Sequence, residues 1–209
     1  MFMLKRTRIT ALNEMPTLET TRLMIRPFVM EDLMDVCRLF DIDLNTDDLH
    51  TEKMNTMKER AEWLEWSVLN YVQLAKLHQP PYGDRAIVLK DTGRLIGSCG
   101  YVPCLMPFEQ VPNFSYYDAS GKLGHATPEF GLFYAVSPSH QRLGYASEAA
   151  QALVDYAFQD LDLKRVIATT DFDNHASIGV MRKIGMRVEK NPLIEPPWLQ
   201  VVGVVENKK

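Results

Sequence analysis

The chain lacks the sequence features that mark secreted, membrane-spanning and metal-binding proteins. Its 209 residues contain only 3 cysteines and 5 histidines, which are scattered and show neither a CxxC spacing nor a pair of histidines one helical turn apart. We therefore expect no disulfide framework and no metal site. No run approaches the roughly 18 consecutive apolar residues of a membrane span, and residues 1–13 lack the apolar segment of a secretory signal. These absences favour a cytoplasmic protein that does not enter a membrane.

Basic residues are too few and too dispersed for a nucleic-acid-binding surface. Lysine and arginine number 23 against 27 acidic residues, a net charge of −4, so we expect no nucleic-acid partner. Apolar residues make up 46% of the chain and charged residues 24%, as in soluble proteins that bury a core. The length favours one domain. We predict a single domain over residues 18–209 with an inserted irregular loop at about 103–128, and an arm over residues 1–17 whose order we leave open.

The apolar periodicity predicts a chain in which α and β elements are mixed. Period-two alternation and continuous apolar runs indicate strands, whereas spacings of three and four indicate helices. In chain order we predict strand 22–28, helix 31–41, helix 57–78, strands 86–90 and 95–102 joined by a turn at 91–93, buried strand 129–136, helix 143–161, strand 164–171, helix 176–184 and strands 186–189 and 199–206. Antiparallel hairpins thus come first and a β-α-β-α-β run comes last.

The segment Gln141–Ala146 lies between a buried strand and an amphipathic helix. The first turn of a helix has N–H groups without intrahelical partners, and the helix dipole favours an anion there. Gly144 and Ala146 have no large side chain to keep a diphosphate away from the main chain. The segment is therefore a candidate diphosphate-binding loop; an ordinary turn is the alternative.

Three segments resemble signature motifs of one enzyme family. Gln141, Gly144 and Ala146 occupy the signature places of the Q/R-x-x-G-x-G/A motif of GNAT acetyltransferases. Residues 174–186 are similar to that family's second motif, an Asn-x-x-Ser (174–177) followed by a Lys-x-Gly-aromatic (183–186). Residues 22–28 resemble the opening strand of its RimJ/RimL-like branch, which acetylates ribosomal proteins. The resemblance covers about residues 18–190.

The resemblance implies an α/β fold with a central, mixed and mostly antiparallel sheet of seven strands. Helices flank this sheet, which is splayed between its fourth and fifth strands. In the family, acetyl-CoA enters the splay; its pantetheine pairs with strand four and its pyrophosphate lies on the following helix. Mapped onto this chain, Val136 and Ser137 would hold the pantetheine and Asn174 would hydrogen-bond it, unless Asn174 only caps its helix. The diphosphate would be bound by the N–H groups of Arg142, Leu143, Gly144, Tyr145, Ala146 and Ser147.

Acetyl transfer to an amine needs a neutral nucleophile and a proton for the departing thiolate. The resemblance makes Glu129 the predicted base, acting through water; the alternative is that it marks the exposed start of its strand. Many relatives protonate the thiolate with a tyrosine, but Met181 stands at the matching position. Ser177 is our predicted replacement, unless it only bonds the cofactor or caps the helix. Met186 replaces the family's aromatic residue, and we interpret it as a packing residue.

The predicted function is transfer of acetyl from acetyl-CoA directly to a primary amine. A protein N-terminus, a polyamine and an amine-bearing antibiotic are the acceptors that we consider. The irregular segment 103–128, with Phe108, Phe114, Tyr116 and Tyr117, is predicted to shape the acceptor pocket. The alternatives are a module that senses acyl-CoA without catalysis and a structural partner without CoA affinity. The sequence leaves a homodimer open.

Overall fold

The computed structural model describes residues 15–44, 54, 56–114 and 125–208. Most of the predicted N-terminal arm, residues 1–14, lies outside the described residues. The described end of that arm is packed, because Met15 is buried and the carbonyl of Pro16 accepts a hydrogen bond of 2.6 Å from Arg85 Nη2. Tyr116 and Tyr117 also lie outside the described residues.

The described residues form a mixed α/β fold with an open sheet of eight strands. These are β1 Leu18–Glu19, β2 Leu23–Pro27, β3 Gly83–Leu89, β4 Leu95–Met106, β5 Thr127–Val136, β6 Arg165–Thr170, β7 Arg187–Lys190 and β8 Val201–Glu206, in the order β1-β2-β3-β4-β5-β6-β8-β7. The pairs β1/β2, β2/β3, β3/β4, β6/β8 and β7/β8 are antiparallel. β5 pairs in parallel with β6, with Gly131 opposite Ile167. The eighth strand is the short β1, which the apolar pattern is too brief to reveal.

Helices connect and flank these strands. They are α1 Leu33–Cys37, α2 Met57–Lys76, α3 Tyr145–Gln159 and α4 His175–Lys183. A 3₁₀ turn at Met30–Asp32 precedes α1 and a π-helical stretch at Arg38–Asp43 follows it. None of the described helices combines the length and the apolar character that a membrane span requires. The predicted elements are confirmed in kind and order.

The chain divides into two compact units. The first comprises Met1–Tyr101 and Tyr134–Asp162, and the second comprises Val102–Phe133 and Leu163–Lys209. The first has a core of Phe28, Val36, Leu39, Phe40, Leu44, Leu64, Ala86, Val88 and Leu95. The second has a core of Cys104, Phe108, Val111, Phe114, Ile167, Leu199, Val202 and Val204. That the chain is one domain, and that the sheet is splayed beside β5, stay predictions.

The predicted irregular segment is wrong at its start. β4 continues to Met106 through Pro103. Pro103 and Leu105 are exposed whereas Cys104 is buried, so the alternation of a strand persists and proline occupies an exposed position within it. Phe108 and Phe114 are core residues rather than pocket aromatics, since both are buried and their rings stack with centroids 4.9 Å apart.

Strand β5 is less buried than its apolar sequence predicts. Leu132 and Val136 are buried, but Phe130, Phe133 and Tyr134 are only half-buried. Aromatic side chains are large, and part of their surface commonly stays uncovered even when most of the ring is packed.

Helix α2 buries a charge that its sequence pattern does not reveal. Arg60 is buried and its guanidinium donates to both carboxylate oxygens of Asp41, at 3.0 and 2.6 Å. The same guanidinium lies 5.1 Å from the ring centroids of Phe40 and Trp63. Position 60 lies one helical turn before the buried Leu64 and on the same face, and the ion pair allows an arginine to occupy it.

Candidate cofactor and catalytic site

The turn between β5 and α3 has an unusual backbone. Arg142 has φ 60° and Gly144 has φ 86°, so two residues of the turn are left-handed. Glycine adopts this conformation without a steric penalty, whereas another residue at the position of Gly144 would be strained. Gly144 is the N-cap of α3, and a glycine has no side chain with which to cap the helix.

The first turn of α3 therefore has main-chain donors that no capping side chain occupies. The first helical bond of α3 runs from the N–H of Glu148 to the carbonyl of Gly144, at 3.0 Å. The N–H groups of Tyr145, Ala146 and Ser147 precede it and have no carbonyl four residues back within the helix. Helix α4 is different, because the side chain of its N-cap Asn174 accepts a hydrogen bond from the N–H of Ser177.

A charged cluster holds the first turn of α3 from the side. Glu148 Oε1 accepts from Thr20 Oγ1 at 2.5 Å and from the N–H of Arg22 at 2.9 Å. Arg22 Nε donates to Glu148 Oε2 at 2.7 Å, and Arg22 Nη1 donates to the carbonyl of Leu143 at 3.0 Å. The guanidinium also lies 4.3 Å from the ring centroid of Tyr145. We call Thr20, Arg22 and Glu148 the α3 clamp.

The clamp shifts the ionisation of its carboxylate. Burial alone would raise the pKa of Glu148, but the hydrogen bonds from Thr20 and Arg22 and the charge of Arg22 outweigh it, and the pKa is lowered. A lowered folded-state pKa means that this carboxylate stabilises the fold above its ordinary pKa. That contribution is lost as the pH falls through the lowered value.

At the end of β5, the main-chain donor of Ser137 is already hydrogen-bonded, and the pantetheine contacts of Val136 and Ser137 stay predictions. The N–H of Ser137 donates to the carbonyl of Ile96 on β4 at 2.8 Å, so this donor is already used within the sheet. Because main-chain groups of successive residues in a strand point in opposite directions, those of Val136 point away from β4. The carbonyl of Val136 accepts from Gln141 Nε2 at 3.2 Å.

Ser137 anchors this turn through its side chain. It is only 2% exposed, its hydroxyl donates to Asp43 Oδ2 at 2.9 Å, and it lies 3.0 Å from Ser139 Oγ. Ser139 Oγ in turn lies 2.9 Å from His140 Nδ1. Burial and the charges of Arg94 and Arg38 lower the pKa of His140, although Asp43 opposes them. The lowered pKa favours the neutral imidazole of His140.

The predicted base Glu129 is held by an arginine. Arg165 Nε donates to Glu129 Oε2 at 2.7 Å, and Arg165 Nη2 donates to Glu129 Oε1. The two side chains are 7% and 16% exposed for Glu129 and Arg165, and the Arg165 guanidinium lies 4.7 Å from the ring centroid of Phe114. Glu129 is thus not the exposed strand end that was the alternative to a base; it is one half of a nearly buried ion pair.

Helix α4 begins with the Asn174 cap. Asn174 Oδ1 accepts from the N–H of Ser177 at 3.0 Å, which is the capping role that the sequence left open as an alternative. Met181 is fully buried, and Met186 is almost so. A Cβ added at Gly203 would lie 2.9 Å from the sulfur of Met186 and 3.0 Å from that of Met181. The interpretation of Met186 as a packing residue is confirmed.

The chain's cysteines are poor nucleophiles. Burial raises the pKa of Cys99 to about 12, and burial together with the charge of Glu129 raises that of Cys104 to about 11. The pKa of Cys37 is also raised, mainly by burial. Because the thiolate is the reactive form, these cysteines are almost entirely thiols at neutral pH. Within the described part of the chain, no group of three or more His, Cys, Asp or Glu could hold a metal ion.

Sequence reasoning found the loop but missed the groups that support it. Arg22 was noticed only as part of a family-like strand, and the partner Glu148 lies 126 residues away in the chain, so no local pattern links them. An acidic residue in the first turn of a predicted helix beside a glycine loop was the available signal. No local sequence pattern predicts the ion pair of Glu129 with Arg165, because the two residues lie 36 positions apart on different strands.

Comparison with known proteins places the chain among acetyltransferases. The acetyltransferase (GNAT) domain family matches residues 22–187. The uncharacterized N-acetyltransferase YnaD of Bacillus subtilis is 32% identical over 176 residues, which is 81% of this chain and 82% of YnaD.

Solved structures share the fold at low sequence identity. The ribosomal-protein-S5-alanine acetyltransferase of Vibrio fischeri has a TM-score of 0.65 at 16% identity, covering 93% of this chain and 98% of that protein. RimJ of Mycobacterium smegmatis, solved with CoA-disulfide, has a TM-score of 0.59 at 18% identity, covering 88% of this chain and 81% of that protein. With the family match over residues 22–187, we conclude that the chain belongs to the GNAT acetyltransferase family.

Proposed function

We propose that the protein transfers acetyl from acetyl-CoA to a primary amine, either the α-amine of a protein or the amine of a small molecule. Membership of the GNAT family supports the acetyltransferase activity. The observation that carries the cofactor assignment is the N-terminus of α3, which has no side-chain cap and follows a turn with two left-handed residues. Such an end combines free N–H donors with a positive dipole, which suits a diphosphate.

The proposed cofactor contacts follow from this end of α3. The diphosphate lies against the N–H groups of residues 142–147, with the Arg142 side chain, which is exposed, as an added cation. Val136 presents its main-chain N–H to the pantetheine, because Ser137 already donates its N–H to Ile96 and the Val136 carbonyl already accepts from Gln141 Nε2. Asn174 bonds the pantetheine only through its remaining amide hydrogens, since its Oδ1 caps α4.

Transfer is proposed to be direct, from the thioester to the amine. A covalent acetyl-enzyme requires an activated nucleophile such as a thiolate. The raised pKa values of Cys37, Cys99 and Cys104 argue against a cysteine in that role. The amine itself then attacks the thioester carbonyl, its N–C bond forms as the C–S bond breaks, and CoA leaves as the thiol once protonated.

The catalytic groups remain Glu129 as base and Ser177 as acid in this proposal. The carboxylate of Glu129 is hydrogen-bonded to Arg165 through both of its oxygens, which limits its direct contact with the amine. Glu129 therefore acts through water, on an amine that already loses its proton readily. An α-amine with a pKa near 8 costs about 1 kcal/mol to deprotonate at neutral pH, whereas a lysine near 10.4 costs roughly 4 to 5 kcal/mol.

We accordingly expect α-amines to be the faster acceptors at neutral pH. Release of free CoA from acetyl-CoA should be measured with three acceptors: peptides with a free N-terminus and no lysine, the same peptides N-acetylated and carrying one lysine, and spermidine. The free N-terminus should give a kcat/KM at least about tenfold above the blocked lysine peptide at pH 7, and the gap should narrow as the pH rises toward 10.

Two outcomes would contradict this proposal in different ways. Faster turnover with the lysine peptide at pH 7 would contradict the preference for α-amines, but the acetyltransferase activity itself would still be supported. CoA binding without turnover of any amine would instead indicate the sensor that the sequence left as the alternative.

A further inference from the structure

The α3 clamp holds the carboxylate of Glu148, which could otherwise bind the N–H groups in the first turn of α3. Glu148 lies in the first turn of α3, where the helix dipole attracts negative charge. Its carboxylate instead accepts hydrogen bonds from Thr20 Oγ1, the Arg22 N–H and Arg22 Nε, and Arg22 Nη2 lies 2.6 Å from Oε2. The acidic group that could compete for the first-turn donors of α3 is thus held by residues that precede β2.

The clamp also fixes the orientation of a peptide group in the loop. Arg22 Nη1 donates a hydrogen bond to the carbonyl of Leu143 at 3.0 Å. The peptide between Leu143 and Gly144 is planar, and in a trans peptide the C=O and N–H point in opposite directions. With the carbonyl directed at Arg22, the N–H of Gly144 is directed away from Arg22 and is not turned toward the clamp.

Charge balance gives the clamp a third effect. Glu148 beside the helix end would repel a diphosphate at close range. Arg22 forms an ion pair with it, so the pair has no net charge and the dipole of α3 acts on the ligand without an opposing carboxylate. The stacking of the guanidinium on Tyr145, the first residue of α3, holds this pair against the helix end.

We propose that Arg22 is a positioning residue for the cofactor diphosphate: it neutralises and withdraws Glu148 and orients the Leu143–Gly144 peptide so that the donors of the loop face the anion. This inference rests on the proposed function, because it assumes that a diphosphate binds this loop. Arg22 acts through Glu148 and Leu143 rather than by touching the cofactor.

Arginine is required for this arrangement, and lysine cannot replace it. Three nitrogens of the guanidinium serve Glu148 and the Leu143 carbonyl, while its flat face lies on Tyr145. A lysine ammonium keeps the positive charge but is a point charge without the planar fork. The Arg22→Lys variant therefore separates positioning from simple attraction of an anion by a cation.

The test measures CoA affinity by calorimetry and steady-state kinetics with two donors, acetyl-CoA and acetyl-pantetheine, which has no diphosphate. For Arg22→Lys and for Glu148→Gln we expect the Kd for CoA and the KM for acetyl-CoA to rise about three- to tenfold, with kcat unchanged. The kcat/KM for acetyl-pantetheine should not change in either variant. A general loss of structure would lower activity with both donors.

Arg26→Lys is the matched control. Arg26 lies in β2, four residues after Arg22, and forms a similarly close two-nitrogen pair with Asp32, with both contacts at 2.7 Å, but no hydrogen bond joins it to the cofactor loop among the described residues. We expect this variant to lose stability and to keep the wild-type Kd for CoA.

Three results would overturn the positioning role. They are wild-type CoA affinity in Arg22→Lys, tighter CoA binding in Glu148→Gln, which direct attraction by a freed Arg22 predicts, and an equal loss of affinity in Arg26→Lys. If wild-type protein itself does not bind CoA, the proposed function fails; if wild-type protein binds CoA and the two clamp variants match it, only this inference fails.

Discussion

Replacing Ala146 with glutamate should raise the Kd for CoA about a hundredfold or more while the protein stays folded. Ala146 is the second residue of α3 and is only partly buried. A carboxylate in the first helical turn is favourable for the helix itself, by roughly 0.3–1 kcal/mol, so the melting temperature should hold or rise. The same carboxylate competes for the N–H donors and repels the diphosphate. Affinity and stability should therefore change in opposite directions.

Two matched variants show whether the effect of Ala146→Glu comes from the added charge, from the added bulk or from its position on α3. Gln151→Glu adds the same charge to an exposed site on α3, about 7 Å further along the helix, and should leave the Kd within a factor of about two. Ala146→Gln adds the bulk without the charge and should give an intermediate loss of affinity. Unchanged CoA affinity in Ala146→Glu would show that the cofactor does not lie at this helix end.

The second large effect is expected at the ion pair of the second unit. Glu129→Ala removes the carboxylate that pairs with Arg165, whose side chain is 16% exposed, and leaves the guanidinium without this anion. Breaking one side of a buried pair costs about 3 kcal/mol or more, so the midpoint of urea unfolding should fall clearly. Replacing both partners, as Glu129→Leu with Arg165→Met, removes both charges and should recover most of that loss.

The double variant also decides whether Glu129 is a base. If Glu129 takes part in proton transfer, the stable double variant should still show a kcat/KM about a hundredfold below wild type, and the deficit should shrink at high pH, where the amine is already neutral. Recovery of both stability and activity in the double variant would make the pair purely structural. Glu129→Gln adds a near-isosteric comparison without the charge.

The sequence was sufficient for the elements and for the glycine turn before α3, and the reason is local. Apolar periodicity located the strands and helices because each side chain's burial follows from its own element. The loop before α3 was found because glycine and alanine at fixed spacing before a helix report a backbone property, which the left-handed Gly144 bears out. The hairpin turn was found for the same reason, since Gly93 has φ 69°.

The support of the site was not predictable, because it depends on contacts between distant residues. Arg22 and Glu148 meet across the fold, as do Arg165 and Glu129 and Asp43 and Ser137. A single sequence does not indicate which cation meets which anion. Pro103 is the reason that the predicted end of β4 is wrong. Proline normally ends a strand, whereas β4 continues through Pro103 to Met106.

The most direct test is a calorimetric titration of ligand-free wild-type protein with CoA and, in parallel, with pantetheine. If main-chain donors at the N-terminus of α3 hold the diphosphate, CoA should bind with micromolar affinity. Pantetheine, which lacks the diphosphate, should bind at least about a hundredfold more weakly. Equal affinity for the two compounds, or no heat with millimolar CoA, would contradict the account.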